Sequence, residues 1–113
     1  MQSMYIGEVS KKSGLSIKAI RLYEAKGLIR TPARSGRYRV YNKADIEILR
    51  LIAEAKLLGV TLASLKDVIV YNENGPDWQR IKYFLIEIRA KLIAQKDDIN
   101  ERIKLVETCI SEI

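Results

Sequence analysis

Lys18, Arg21 and Tyr23 are the residues whose type and placement first suggest chemistry. They sit in the stretch Ser16 to Glu24, just after Gly14, where the pattern calls for a second short helix opening at Ser16. Basic and aromatic groups on the surface of such a helix can engage a polyanion. On two small helices joined by a glycine turn, they are arranged to enter a DNA major groove. Catalysis has no comparable support. The sequence shows no nucleophile–base set, no phosphate-cradling glycine loop and no metal cluster. It contains no histidine, which removes imidazole general-base chemistry and histidine-based metal sites.

The elements that must hold these side chains follow from periodicity. Ile6, Val9, Leu15, Ile20 and Leu22 are expected to bury one side of the helix pair, leaving Lys18, Arg21 and Tyr23 along the remaining surface. After Leu28, Thr31-Pro32 breaks the helical pattern and Ser35-Gly36 marks a turn. Tyr38-Arg39-Val40-Tyr41 alternates with period two, so a small hairpin or wing is expected. Between Arg30 and Lys43 five residues are basic and none is acidic. Arg34, Arg37, Tyr38 and Arg39 are therefore candidates for gripping backbone phosphates, with Ser16, Lys18, Arg21 and Tyr23 contributing from the helix.

Asn42 is a candidate N-cap for a helix running to about Leu58 through Ile46, Leu49, Ile52 and Ala53, closed at Gly59. Thr61 caps a shorter helix from Leu62 to about Val70, presenting Leu62, Leu65 and Ile69. Asn72-Glu73-Asn74-Gly75-Pro76 is a breaker, and the organisation it implies is residues 1–74 as a DNA-binding domain and 75–113 as a dimerisation helix.

From Asp77 onward Ile81, Leu85, Ile88, Leu92, Gln95, Ile99, Arg102, Val106, Cys109 and Ile113 alternate four and three apart. This is a heptad seam. The matching partner is the same helix of a second copy, because the chain offers no other helix of that length. Gln95 and Arg102 interrupt the seam and can set register at some cost in stability. The pattern by itself is satisfied by parallel and antiparallel pairs alike.

Net charge is +6, and residues 1–60 hold twelve Lys/Arg against five Asp/Glu, so the excess of positive charge lies in the half with the helix pair. A one-ended basic field fits a polyanion partner. No apolar run approaches the ~18 residues of a membrane span, so no membrane association is expected. The lone Cys109 cannot close an intrachain disulfide, which agrees with a reducing compartment, and no signal-peptide pattern opens the chain. The cytoplasm is the expected location, with either Met1 or Met4 as the natural start.

The order of these elements resembles the MerR family of bacterial transcription regulators. The segment Ile20-Arg21-Leu22-Tyr23-Glu24-Ala25-Lys26-Gly27-Leu28-Ile29, the strand Tyr38-Arg39-Val40-Tyr41 and the step Gly59-Val60-Thr61-Leu62 carry the resemblance. It implies a mainly α fold: a winged helix-turn-helix followed by a long C-terminal helix forming an antiparallel coiled-coil dimer. It further implies a homodimer that binds a palindromic operator in double-stranded promoter DNA with over-spaced elements. Bending and untwisting that DNA would align the elements for RNA polymerase, an indirect partner, with deformation energy exchanged for contacts. Carried over by position, Arg21 and Tyr23 would meet DNA from the recognition helix, and Tyr38 and Arg39 would hold phosphates. Ala19 stands where the family commonly has Thr, Leu22 where it has an aromatic, and Arg37 follows Gly36 where a glycine usually precedes the wing tyrosine.

Metal-sensing members place thiols at the start of the long helix and in a loop after it. Here one thiol without histidine cannot make a soft-metal site, and no cofactor is expected. Cys109 reads as an apolar filler of the seam, with a thiol sensor as the alternative. The alternative function is an architectural or excisionase-like DNA binder that bends DNA without sensing an effector. A coiled-coil adaptor for another protein is the third reading, distinguished by insensitivity to salt on DNA.

Overall fold

The computed structural model describes residues 4–113, which divide into two compact units between Trp78 and Gln79. In the first unit α1 (Ile6–Ser13) and α2 (Ile17–Ala25) are followed by strands β1 (Ala33–Ser35) and β2 (Tyr38–Val40). Helices α3 (Lys43–Leu57) and α4 (Leu62–Val68) and the short strands β3 (Tyr71–Asn72) and β4 (Gly75–Pro76) complete it. Helix α5 (Trp78–Ser111) supplies the second unit. The fold is mainly α, as expected.

The caps explain where the helices begin and end. Gly14 takes φ 77°, in the left-handed region open to glycine, and its N–H reaches Ser10 O at 3.1 Å to close α1. Ser16 then caps α2 by accepting from Ala19 N at 3.0 Å. Asn42 and Asp45 form a reciprocal capping box on α3, with Asp45 N to Asn42 Oδ1 at 2.9 Å and Asn42 N to Asp45 Oδ2 at 3.0 Å. Thr61 caps α4 by accepting from Ser64 N at 3.1 Å.

Val9, Ile20, Tyr23, Leu28, Tyr41, Ile48, Leu49, Ile52 and Leu65 form the buried core of the first unit, drawn from α1 to α4, with Leu28 from the segment after α2 and Tyr41 just beyond β2. Arg50 Nε donates to Lys12 O at 2.9 Å, so α3 satisfies a free carbonyl at the end of α1.

Two features differ from the sequence expectations. Residues 71–76 are an antiparallel hairpin, with Tyr71 opposite Pro76 and Asn72 opposite Gly75, where only a breaker was expected. Gly75 and Pro76 are buried, β4 packs on α3, and the first compact unit runs to Trp78. Leu22 and Tyr23 exchange places: Leu22 is 45% exposed and Tyr23 only 2%. On an α-helix Tyr23 follows Ile20 by three residues and shares its buried face, whereas Leu22 is turned away.

Candidate nucleic-acid interface

Helix α2 and the β1–β2 hairpin build the basic surface. Lys18, Arg21 and Leu22 are exposed on α2, and Arg34, Arg37 and Tyr38 are exposed on the hairpin. Ala33 pairs with Val40, Arg34 with Arg39 and Ser35 with Tyr38, leaving Gly36 and Arg37 as a two-residue loop. Gly36 has φ 64° at the first central position, as tight hairpin loops favour. Arg34 Nη1 donates to Arg37 O at 3.4 Å and folds back over the loop.

The hairpin is held on both of its faces. On one, the Tyr38 ring meets Tyr5 edge-on, with centroids 5.8 Å apart and planes at 66°. On the other, Arg39 Nε straddles the Glu24 carboxylate of α2, 2.9 Å from Oε1 and 3.0 Å from Oε2. Strand alternation puts Arg39 and Tyr41 on the same side. Burial pushes the Tyr41 hydroxyl above its ordinary pKa, the Glu24 carboxylate adds to the rise, and Arg39 and Arg21 oppose it.

Tyr5, Ile6, Arg21, Arg37, Tyr38 and Arg39 together line a shallow cleft of about 110 Å³. Three guanidiniums and two phenols around a concavity of this size suit a phosphate group, which accepts several hydrogen bonds at once, those from arginine charge-assisted.

Of the eight residues expected at the DNA surface, the structure brings Arg21, Arg37, Tyr38 and Arg39 to this cleft. Lys18 and Arg34 are exposed beside it on the same two elements. Ser16 is exposed, but its side-chain oxygen is committed to the α2 cap. Tyr23 is a correction: it is a core residue whose hydroxyl accepts from Lys56 Nζ at 3.1 Å, so it offers no surface to DNA. Tyr5 and Glu24 were missed. Both act on the hairpin across long sequence separations, Glu24 on Arg39 fifteen positions on, and no local pattern carries that information.

Along α5, Leu85 and Ile88 are half-buried and Leu92, Gln95, Ile99, Arg102 and Val106 are exposed. Ile81, the first residue of the expected seam, is buried. Arg102 Nη2 pairs with Asp98 one turn back at 2.6 Å. Among the described residues no helix is long and apolar enough to cross a membrane.

Comparison with known proteins agrees with this arrangement. The profile of the MerR HTH family regulatory proteins matches residues 4–71. The HTH-type transcriptional regulator CueR of Yersinia pestis is 40% identical over 72 residues, covering 63% of this chain and 52% of CueR. The chain thus spans about half the length of that relative. The HTH-type transcriptional regulator HmrR of Sinorhizobium medicae is 35% identical over 106 residues, covering 89% of this chain and 72% of HmrR. Among solved structures, HiNmlR, a MerR family regulator lacking the sensor domain and bound to promoter DNA, superposes with a TM-score of 0.64 at 18% identity. That match covers 91% of this chain and 80% of HiNmlR and shows the shared fold. The chain belongs to the MerR family of HTH regulatory proteins.

Proposed function

We propose that two copies pair through α5 as an antiparallel coiled coil and place their helix–wing surfaces on the two halves of a palindromic promoter operator. On this reading residues 1–74 bind DNA and residues 75–113 dimerise. The observation that supports it most is the cleft shared by α2 and the wing, where Arg21, Arg37, Tyr38 and Arg39 converge. Lys18 lies on the helix that enters the major groove, and Arg34 reaches flanking phosphate. The bound dimer distorts over-spaced promoter DNA and so changes the alignment of promoter elements presented to RNA polymerase in the cytoplasm.

The test uses duplexes selected by the protein from a randomised library. Arg21→Ala weakens binding to a selected duplex by ~1–3 kcal/mol, and wild-type affinity falls steeply as salt rises. Unchanged affinity in the variant together with salt-insensitive binding would overturn the interface. In vitro transcription from a promoter carrying that duplex in a lengthened spacer separates a regulator of this kind from a purely architectural DNA binder, which leaves transcript levels unchanged.

A further inference from the structure

Glu24 is an acidic side chain paired with one of the three arginines that line the cleft. For a protein that grips a polyanion this costs affinity, since a carboxylate near phosphate repels it. Yet the side chain is only 11% exposed and its carboxylate is charge-paired with Arg39, itself 35% exposed. The pair joins α2 to β2 directly. On the hairpin, Arg39 stands opposite Arg34, and like charges facing each other across two strands are unfavourable. Glu24 neutralises one member of that pair, and Tyr41 lies close enough to feel its charge.

We propose that Glu24 is a positioning residue for DNA binding: by holding Arg39 it fixes the wing hairpin relative to the recognition helix. Arg39 then acts on DNA chiefly through the placement of its strand, while Arg21 and Arg37 supply the other two guanidiniums of the cleft. A residue acting on charge alone would behave in the opposite way. Removing a carboxylate from a DNA-facing surface tightens binding and releases Arg39 as an additional cation, which steepens the salt dependence. Removing a positioning carboxylate loosens binding despite the gain in net positive charge.

The proposal rests on the DNA-binding reading above, and the experiment separates the two. Wild-type protein first selects a duplex from a randomised library. If it selects none and binds none at low salt, the DNA-binding reading itself fails. Given a selected duplex, Glu24→Gln weakens binding roughly tenfold, and Arg39→Gln together with Glu24→Gln weakens it no further than the larger single effect. Tighter binding by Glu24→Gln, or losses that multiply in the double variant, would overturn the proposal. Hydrogen exchange on the free protein gives a readout independent of DNA. In Glu24→Gln the amides of Tyr38 to Val40 exchange faster, while those of α3 keep their protection. Wing protection unchanged from wild type would also overturn it. Loss of α3 protection identifies an unfolded variant, and Glu24→Asp, which keeps the charge on a shorter arm, then takes its place with the same expected signs.

Discussion

Tyr23 illustrates how a side chain with the right chemistry can do something else. Its ring lies in the core and its hydroxyl takes a hydrogen bond from Lys56, whose Nζ also stands 5.9 Å from the ring centroid. Tyr23→Ala should therefore cost about 3–5 kcal/mol of stability, as for other buried aromatics. Tyr23→Phe keeps the ring and should lose only about 1 kcal/mol with the hydrogen bond, leaving DNA affinity intact. Urea unfolding and titration of a selected duplex check both. A Tyr23→Phe protein with native stability and lost affinity would return the hydroxyl to the DNA surface. The sequence allowed the right assignment, because Ile20 and Tyr23 are three apart and Ile20 was already placed in the core. Judging Tyr23 by its polar tip, and Leu22 by its apolar character, overrode the helical period. The charged residues were easier to read, since Lys18, Arg21, Arg34 and Arg37 have no energetic route into a small core.

Elements were legible where local chemistry decides them. Asn42 and Thr61 were expected as N-caps and are so in the structure, Gly14 makes the expected turn, and α2 opens after Ser16 as expected. The β3–β4 hairpin was not legible. Its strands are two residues long, one contains Pro76, and there is no alternation to detect. Tertiary contacts specify it instead. Arg30 bridges the elements there, with its Nε 3.4 Å from Asp45 Oδ1 and its guanidinium 5.8 Å from the centre of the Tyr71 ring. Burial pushes the Tyr71 hydroxyl up to about 12 from its ordinary 10.0, with Asp45 adding to the rise and Arg30 opposing it. Between those values the unfolded chain has released this proton while the folded chain retains it, so stability falls as pH rises through the window. Tyr71→Phe removes this contribution, up to about 2–3 kcal/mol, and its stability should decline less steeply than wild type from pH 10 to 12. Lysine titration affects both proteins and cancels in the difference. Parallel alkaline profiles by denaturant unfolding would show that Tyr71 ionises as freely in the folded state as in the unfolded one.

At the scale of the whole molecule, assembly depends on what covers α5. Its 34 residues extend about 50 Å. From Leu92 onward the seam residues are all exposed in a single chain, Ile99 by 51% and Val106 by 57%. Each aliphatic side chain fully buried there would contribute ~1.5–3 kcal/mol as an upper bound, which favours association. The Asp98–Arg102 pair on this surface contributes at most about 0.5 kcal/mol and cannot substitute for it. Ile99→Glu places a charge in the seam and should convert the proposed dimer to single chains in sedimentation equilibrium. Asn100→Glu, one position off the seam, should leave the dimer intact. Affinity for a palindromic duplex should fall more than tenfold in Ile99→Glu alone, because two half-site contacts joined in one particle reinforce each other and separated ones do not. A monomeric Asn100→Glu, or a dimeric Ile99→Glu, would show that the seam is not the contact. Cys109 then distinguishes the orientations. Its thiol is exposed on the same seam, and in a parallel pair it meets its own counterpart, while an antiparallel pair holds the two thiols far apart. On the proposed antiparallel pairing, mild oxidation of the wild-type protein should thus give no covalent pair on denaturing gels, and rapid crosslinking through Cys109 would require the parallel arrangement instead.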